Sequence, residues 1–420
     1  MTIQQVLGAG STNSFNNWLA ASSWTNPSGG YQAAPQAINY FNNNIYVWSQ
    51  YQQTSTAGGL LTKYDSFGAV QFQKTINELE PLNGNVLFID ASENVYLAGI
   101  TNPTFAGIAK LNSSGTIQWV NAYGTSTKGF GAQGVVVDSA GGVYALVSSS
   151  SISPQTVYFV KYNSSGTLQW QKNIAYSGFN VYPATLAIDS NDNIYVSVIQ
   201  NSGISSRPSY LLKYNTSGTL IWQICYGPIS GSGTFSAYNI VIGANNDIYT
   251  LQSASATSAV LTKINSSGTI QWAVTFSNLS TIYGVNSLTI DKDDNIYINE
   301  YENFTKVSSA GVVQWTINQS GGFISAMAGN KLGKLLTTGV INSSNPQIVT
   351  TSFPTDGSKP SGTYTIAGAS ITYTAVPNTA SSYGIGTYAN TLTESTPTQP
   401  NTSPSVTTTD VSFTQNFLNI

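Results

Sequence analysis

Histidine is absent from the 420 residues, and cysteine occurs once, at Cys225. Without an imidazole there is no Ser-His-Asp or Cys-His nucleophile system, no histidine general acid or base and no histidine-bearing zinc site. A single thiol excludes both an intramolecular disulfide framework and a thiolate metal cluster. Charge is scarce as well: 7% of residues are Asp, Glu, Lys or Arg, against about a quarter in ordinary soluble domains. The 14 basic residues do not outnumber the 17 acidic ones, so the basic excess that a phosphate backbone demands is missing and nucleic acid is not an expected partner. No uncharged apolar run reaches the roughly 18 residues of a membrane span, so no membrane insertion is expected. The opening MTIQQVLGAG has neither a positive n-region nor an apolar core, and no export signal is expected there.

What remains is 41% hydrophobic, with 38 Gly and 25 Tyr among abundant Ser, Thr and Asn. A hydroxyl- and amide-rich chain poor in Lys and Glu suits an extracellular or particle-borne surface, yet neither the disulfides nor the export signal of a secreted protein is expected here. A virus particle, whose proteins are made in the host cytoplasm and act outside, reconciles the two.

Self-similarity organises the chain. One motif reads LTKYDSFGAVQF from Leu61, IAKLNSSGTIQW from Ile108, FVKYNSSGTLQW from Phe159, LLKYNTSGTLIW from Leu211, LTKINSSGTIQW from Leu261 and FTKVSSAGVVQW from Phe304. Its glycines, Gly68, Gly115, Gly166, Gly218, Gly268 and Gly311, are 47, 51, 52, 50 and 43 residues apart. A second motif alternates with it: FIDASENVYLAG from Phe88, VVDSAGGVYALV from Val136, AIDSNDNIYVSV from Ala187, VIGANNDIYTLQ from Val241 and TIDKDDNIYINE from Thr289, with degenerate copies from Ala37 and Ala326, seven in all. Each motif alternates apolar residues into an Asn/Ser/Asp/Gly cluster and resumes with β-branched and aromatic residues, the pattern of an antiparallel hairpin. Two hairpins per period give four strands, the size of a propeller blade. The expected fold is therefore an all-β, seven-bladed β-propeller of four-stranded antiparallel blades over residues 1–359. An N-terminal strand, 14–24, is expected to complete the last blade and remove two free edges. Residues 360–420 form a Ser/Thr/Pro-rich C-terminal extension that reads as an extended arm. Its apolar end, VSFTQNFLNI, is either a strand added to the body or a peptide that docks on a neighbour.

The two hairpins, AIDSNDNIYV (Ala187 to Val196) and FVKYNSSGTLQW (Phe159 to Trp170), resemble the SBBP-type bacterial β-propeller repeat, a relative of the NHL repeat, over about residues 37–320. That resemblance implies the fold and says little of activity, because propellers host unrelated functions. The segment FPTDGSKPSGTYTIAGASITYTA from Phe353 is similar to stretches that follow such propellers in virion proteins of marine tailed phages, including cyanophages, which implies a virion protein.

Several residues invite a functional reading. Trp119, Trp170, Trp222, Trp272 and Trp315, with Phe72 in the same place, and Tyr46, Tyr96, Tyr144, Tyr195, Tyr249 and Tyr297 recur once per repeat. Packing between blades accounts for them better than a ligand, since each large ring buries roughly 150–250 Å². Lys63, Lys110, Lys161, Lys213, Lys263 and Lys306 share one repeat position, beside the recurring Asp90, Asp138, Asp189 and Asp291. Local pairing is expected over a cationic ring for an anionic glycan. The acidic turns Asp189 to Asn193 and Asp291 to Asn295 look like calcium loops but lack the remaining spacing and the bidentate Glu. Turn chemistry explains them, and neither a metal nor any other cofactor is expected. The asparagines Asn112, Asn163, Asn215 and Asn265, though within sequons, read as turn residues.

Variation between repeats is more informative about binding. The connections entering each blade bring Tyr123, Phe130, Tyr176, Phe179, Tyr226 and Phe235 toward one end of the ring, among Ser, Gly and Asn, a composition suited to stacking on a sugar or meeting a neutral protein surface. Tyr182, Tyr238 and Tyr283 precede strands and fit a core position as well. The leading expectation is a non-enzymatic phage structural protein located in the virion, serving host recognition near the tail or fibre or decorating the capsid. Its expected partners are other virion proteins, reached through the C-terminal arm, and a host surface glycan or protein. A bacterial surface or secreted binding module is the alternative. A polysaccharide-degrading enzyme is the less favoured reading, with Glu78, Glu80, Glu300 and Glu302 as its only carboxylate candidates.

Overall fold

The computed structural model describes residues 18–23, 33–53, 56–82, 84, 86–101, 105–124, 129–149, 153–201, 209–228, 236–255, 258–276, 287–300, 303–329, 334–341, 347–355, 362–366, 369–377, 380–382, 385–388, 393–395, 401–402, 408–410 and 414–419. Every regular element among them is a strand. The fold is an all-β propeller whose blades are four-stranded and antiparallel. Within a repeat such as the one beginning at Phe130, the strands Phe130–Val137, Val143–Ser149, Val157–Tyr162 and Leu168–Ala175 pair in chain order.

Turn chemistry explains why the hairpins form where they do. In the hairpin between third and fourth strands, the Gly166 amide donates to the Asn163 carbonyl at 3.0 Å and the Asn163 amide to the Thr167 carbonyl at 2.9 Å. The Asn163 side chain accepts from the amides of Ser165 and Thr167 at 3.1 and 2.8 Å, closing the turn from inside. The fourth turn position is left-handed, with φ of 84° at Gly166, which glycine adopts without a Cβ penalty. The same geometry recurs around Gly115, Gly218 and Gly268. Turns between first and second strands are built alike on Asp90, Asp138, Asp189 and Asp291, but their left-handed position is held by Glu93, Gly141, Asp192 and Asp294.

The first strands, Ala33–Phe41, Leu87–Ile89, Phe130–Val137, Asn180–Ile188, Ser236–Ile242, Leu288–Ile290 and Gly322–Gly329, each touch the next, and the last touches the first. They surround an axis, and the apolar core lies between neighbouring sheets. One cluster runs from Tyr46 and Trp48 through Tyr96 and Leu97 to Val160 and Tyr162 without a break.

The N-terminal strand Trp18–Ser23 pairs antiparallel with Gln347–Pro354, Trp18 opposite Ser352 and Ser23 opposite Gln347. Its other edge takes the last strand of the chain, Thr414–Asn419. Of the two roles open to VSFTQNFLNI, the structure therefore has the first: this tail adds a strand to its own body. The remainder of the extension behaves alike. Ala369–Ala375 pairs with Val313–Ser320, Ala380–Ser382 with Ile270–Phe276, and Ile385–Tyr388 with Leu220–Pro228. Thr393–Ser395 then pairs with Leu168–Ala175, Asn401–Thr402 with Ile117–Tyr123, and Thr408–Asp410 with Val70–Asn77. The arm thus visits the outer strands in the reverse of chain order, giving each sheet one further strand and the sheet of Val313–Ser320 a second, Gly362–Ile366, beyond the first.

Candidate functional site

The recurring Lys, Asp, Tyr and Trp form networks at several of the described repeat joints. In the repeat beginning at Asn180, the Asp189 carboxylate accepts from the amides of Asn191 and Asn193 at 2.9 and 2.8 Å and from the Tyr195 hydroxyl at 3.0 Å. Lys213 lies opposite Tyr195 on the next strand. Its Nζ sits 3.7 Å from Asp189 Oδ2 and 5.1 Å from the Tyr195 ring centroid, and it donates to the Ser266 carbonyl at 3.2 Å. That carbonyl belongs to the next repeat's turn, and Trp222 Nε1 donates to it as well, at 3.2 Å. The same ties join Lys161 to Thr216, and Lys306 and Trp315 to Thr355. Glycine serves here twice: a Cβ on Gly166 would lie 2.8 Å from the Trp119 ring and one on Gly218 2.9 Å from Trp170. Lys161, Lys213 and Lys306 are engaged between repeats and Lys263 pairs with Asp247 of its own repeat at 2.9 Å, so these lysines are held by local partners rather than standing as a cationic ring. Burial first, and then the carboxylate at its hydroxyl, raises Tyr96, Tyr144, Tyr195 and Tyr297 well above the ordinary tyrosine range.

The first repeat shows how the network survives a missing aspartate. Its turn runs through Asn42 and Asn43, both left-handed, and carries no carboxylate. Glu93 of the following repeat supplies one, accepting from Asn42 Nδ2 at 2.5 Å, from the Tyr46 hydroxyl at 3.2 Å and from Lys63 Nζ at 3.1 Å. Burial opposes ionisation of Glu93, but the hydrogen bonds from Asn42 and Lys63, the Lys63 charge and the Tyr46 hydroxyl hold its carboxyl below the usual range.

The aromatic residues expected at the ring's end are only partly there. Tyr123, Phe130 and Tyr226 are fully buried, which corrects their reading as binding residues. The Tyr123 ring meets Phe130 edge-on at 6.1 Å and Tyr158 at 5.9 Å, and its hydroxyl reaches Gln171 of the next repeat. Burial pushes Tyr226 up to about 12, and its hydroxyl accepts from Gln252 at 3.0 Å. These positions lie in buried stretches of their strands and fill the wedge between sheets. Tyr176, partly buried against Tyr210, and the more exposed Phe179 have ring centroids 5.8 Å apart across a tight turn. Phe179 is 37% exposed. Tyr182 is half-buried, whereas Phe235, Tyr283 and the side chain of Tyr238 lie outside the described residues. Among the acidic candidates, Glu78 is exposed in a left-handed turn and Glu80 accepts from Gln50. Glu302 and the side chain of Glu300 lie outside the described residues.

A cavity that sequence reasoning did not single out opens at the opposite end of the axis, where the first strands run into their turns. Its volume is about 680 Å³, within the roughly 300–1,000 Å³ of small-molecule sites. Five sheets line it: Tyr40 and Phe41 on one side, then Ile188 and Ser190, Ile242 and Asn246, Ile290 and Asp294, and Gly329. Two of its residues also join neighbouring turns. Asn246 Oδ1 accepts from the Ser190 hydroxyl at 3.0 Å, and Asp294 Oδ1 from the Ala244 amide at 2.8 Å. A signal was present in the left-handed turn position, whose residue varies among Glu, Gly, Asp and Asn where the rest of the motif repeats. Among the described residues no group of three or more His, Cys, Asp or Glu is arranged to hold a metal.

No protein-family model matches the chain, and no curated protein matches it in sequence. Solved structures resemble it at low identity. A protein of unknown function from Bacteroides caccae is 10% identical, with 72% of this chain and 94% of that one covered and a TM-score of 0.39. The polysaccharide lyase Uly1 is 9% identical over 76% and 90%, TM-score 0.43. The N11 neuraminidase-like protein of A/flat-faced bat/Peru/033/2010 (H18N11) is 12% identical over 86% and 99%, TM-score 0.43. Lyases and a glycosidase thus stand among the similar folds, but likenesses this distant carry no argument about activity.

Proposed function

We propose that the chain is a non-enzymatic structural protein of a phage particle, a seven-bladed propeller displayed on the virion for host recognition or capsid decoration. The ring of first strands and the pairing of Trp18–Ser23 with Gln347–Pro354 support seven blades, with the N-terminal strand completing the last. One observation carries the structural role: the C-terminal extension gives every sheet a further strand, Ala369–Ala375 at one end of its path and Thr414–Asn419 at the other. A chain that devotes its end to belting its own rim is built for persistence outside the cell. The repeated charges serve the same end, because they join one repeat to the next rather than facing a substrate. The particle itself rests on the neutral, hydroxyl-rich composition and on the phage-like segment from Phe353.

Mass spectrometry of particles purified through a density gradient tests this reading. The chain is expected at a fixed stoichiometry to the major capsid protein. Recovery only in a cell-envelope fraction would turn the reading to a bacterial surface module. Shortening of host envelope polysaccharide by the purified chain would end the non-enzymatic part.

A further inference from the structure

We propose that the axial cavity is a binding site for a neutral saccharide. This deepens the recognition role above by naming a ligand class, and it moves the site from the connections carrying Tyr176 and Phe179 to the other end of the axis.

The wall of the cavity has the mixed character that a pyranose presents. Apolar surface comes from Ile188, Ile242, Ile290 and the partly exposed rings of Tyr40 and Phe41. A sugar ring places its C–H face on such surface and its hydroxyls at the rim. The rim is supplied. Asn246 uses Oδ1 to accept from Ser190, and Asp294 uses Oδ1 to accept from Ala244. Among the described residues, Asn246 Nδ2 and Asp294 Oδ2 take no hydrogen bond, leaving one donor and one charged acceptor for vicinal hydroxyls. Both side chains are fixed by their turn-to-turn bonds, so little conformational freedom is lost on binding.

Charge selects against the competing ligands. Among the described residues the cavity is lined by Asp189, which Lys213 pairs at 3.7 Å, and by Asp291 and Asp294, against the ammonium of Lys292, which Asp293 holds at 2.6 Å. Uronates, sialic acids and sulfated sugars would meet net negative potential. A divalent cation fails for another reason. Asp189 and Asp291 each have both oxygens engaged with their own turn and tyrosine. One free oxygen on Asp294 falls far short of the six to eight ligands that calcium takes.

The test is titration calorimetry of the purified full chain with neutral oligosaccharides built on glucose, galactose or N-acetylglucosamine, alongside uronate-bearing and sulfated oligosaccharides. At least one neutral series is expected to bind, and the acidic ones at least about tenfold more weakly. D294N keeps an oxygen for the Ala244 amide and replaces the free acceptor with a donor. It is expected to weaken binding about tenfold or more without lowering the melting temperature. F179A, at the other end of the axis, is expected to leave affinity unchanged. No neutral sugar binding at millimolar concentration, tighter binding of an acidic series, an unaltered affinity in D294N, or a loss in F179A would each overturn the proposal. The virion reading is separate: sugar binding by a chain missing from particles would sink that reading alone, and a particle-borne chain that binds no sugar would sink only this one.

Discussion

Replacing Asp189 by Ala removes the carboxylate that anchors Tyr195 and the joint-forming Lys213 within one repeat. The residue is 5% exposed. Its carboxylate accepts from two backbone amides at 2.9 and 2.8 Å, from Asn193 Nδ2 at 2.9 Å and from the Tyr195 hydroxyl at 3.0 Å, with Lys213 Nζ at 3.7 Å. Tyr195 is wholly buried, and orphaning its hydroxyl costs about 1–3 kcal/mol. Breaking a buried ion pair from one side costs about 3–5 kcal/mol, but Lys213 keeps the Ser266 carbonyl at 3.2 Å, so the lower end applies. The expected loss is about 4 kcal/mol, high for a single substitution. D189N retains an acceptor for the turn amides and is expected to recover roughly half of it. Asp65 closes an equivalent turn at the surface, accepting from Phe67 and Ala69 amides at 2.9 Å, and D65A is expected to cost about 1 kcal/mol. Urea unfolding followed by tryptophan fluorescence, with the slopes compared, measures all three. A D189A loss within about 1 kcal/mol of the D65A loss would refute the claim that Asp189 holds Tyr195 and the joint-forming Lys213 in place rather than merely closing its turn.

Tyrosines raised above 10.0 make the native state hold protons that the unfolded chain releases, and Lys263, raised above 10.5 by Asp247 and Tyr249 against the opposing effect of burial, acts in the same sense. Their contribution is complete below pH 10 and lost as pH rises, by about 1.4 kcal/mol per proton per pH unit. Ionisation of these tyrosines is expected to appear as a cooperative step in tyrosinate absorbance coincident with unfolding, and ionisation of all 25 tyrosines near pH 10 in the folded protein would contradict this. Glu93, depressed below 4.5, contributes stability above that value that is lost as pH falls through its folded pKa. E93Q is expected to flatten the acid limb of a melting-temperature profile. A Cβ at Gly243 would lie 3.0 Å from Asp294 Oδ1, so G243D is expected to destabilise although sister repeats carry Asp there, with thermal unfolding as the check. Ending the chain at residue 359 exposes the outer strands and is expected to give concentration-dependent association, read by light scattering, and earlier cleavage by thermolysin.

Much of the scaffold was written in local chemistry. Asn at the first turn position and Gly at the fourth announce a left-handed turn, and a Tyr six residues after an Asp announces their hydrogen bond, because hairpin geometry brings the two together at Asp138 and Tyr144 as at Asp291 and Tyr297. Tyr123 and Phe130 were misread because aromatic residues beside a loop serve equally as wedge-fillers and as a binding surface. Only the near-continuous burial of residues 120–123 and of Phe130–Val137, which the folded sheets reveal, separates the two uses. The cavity was hidden for another reason. Its walls come from turns about 50 residues apart, and the free atoms of Asn246 and Asp294 become visible only once their bonded atoms are known.

The path of the arm was equally hidden, since strand addition uses backbone groups and needs no particular side chain. Its cause, however, connects to the scarcity of charge. A propeller leaves one outer strand edge per blade, and natural sheets discourage edge-to-edge association with charges, above all lysine, or with short and covered edges. Most lysines of this chain's repeats are drawn into the joints, Lys161 to Thr216 and Lys213 to Ser266 among them. Outer strands such as Leu220–Pro228 run nine residues. With few charges left to guard them, the arm covers them instead. Most of the edges it presents in turn are short, three residues at Ala380–Ser382 and two at Asn401–Thr402, with Gly362–Ile366 and Thr414–Asn419 the longer exceptions. Low charge and a long polar tail are thus one design: the tail provides, through backbone pairing, the protection that a more charged sequence would draw from its surface lysines.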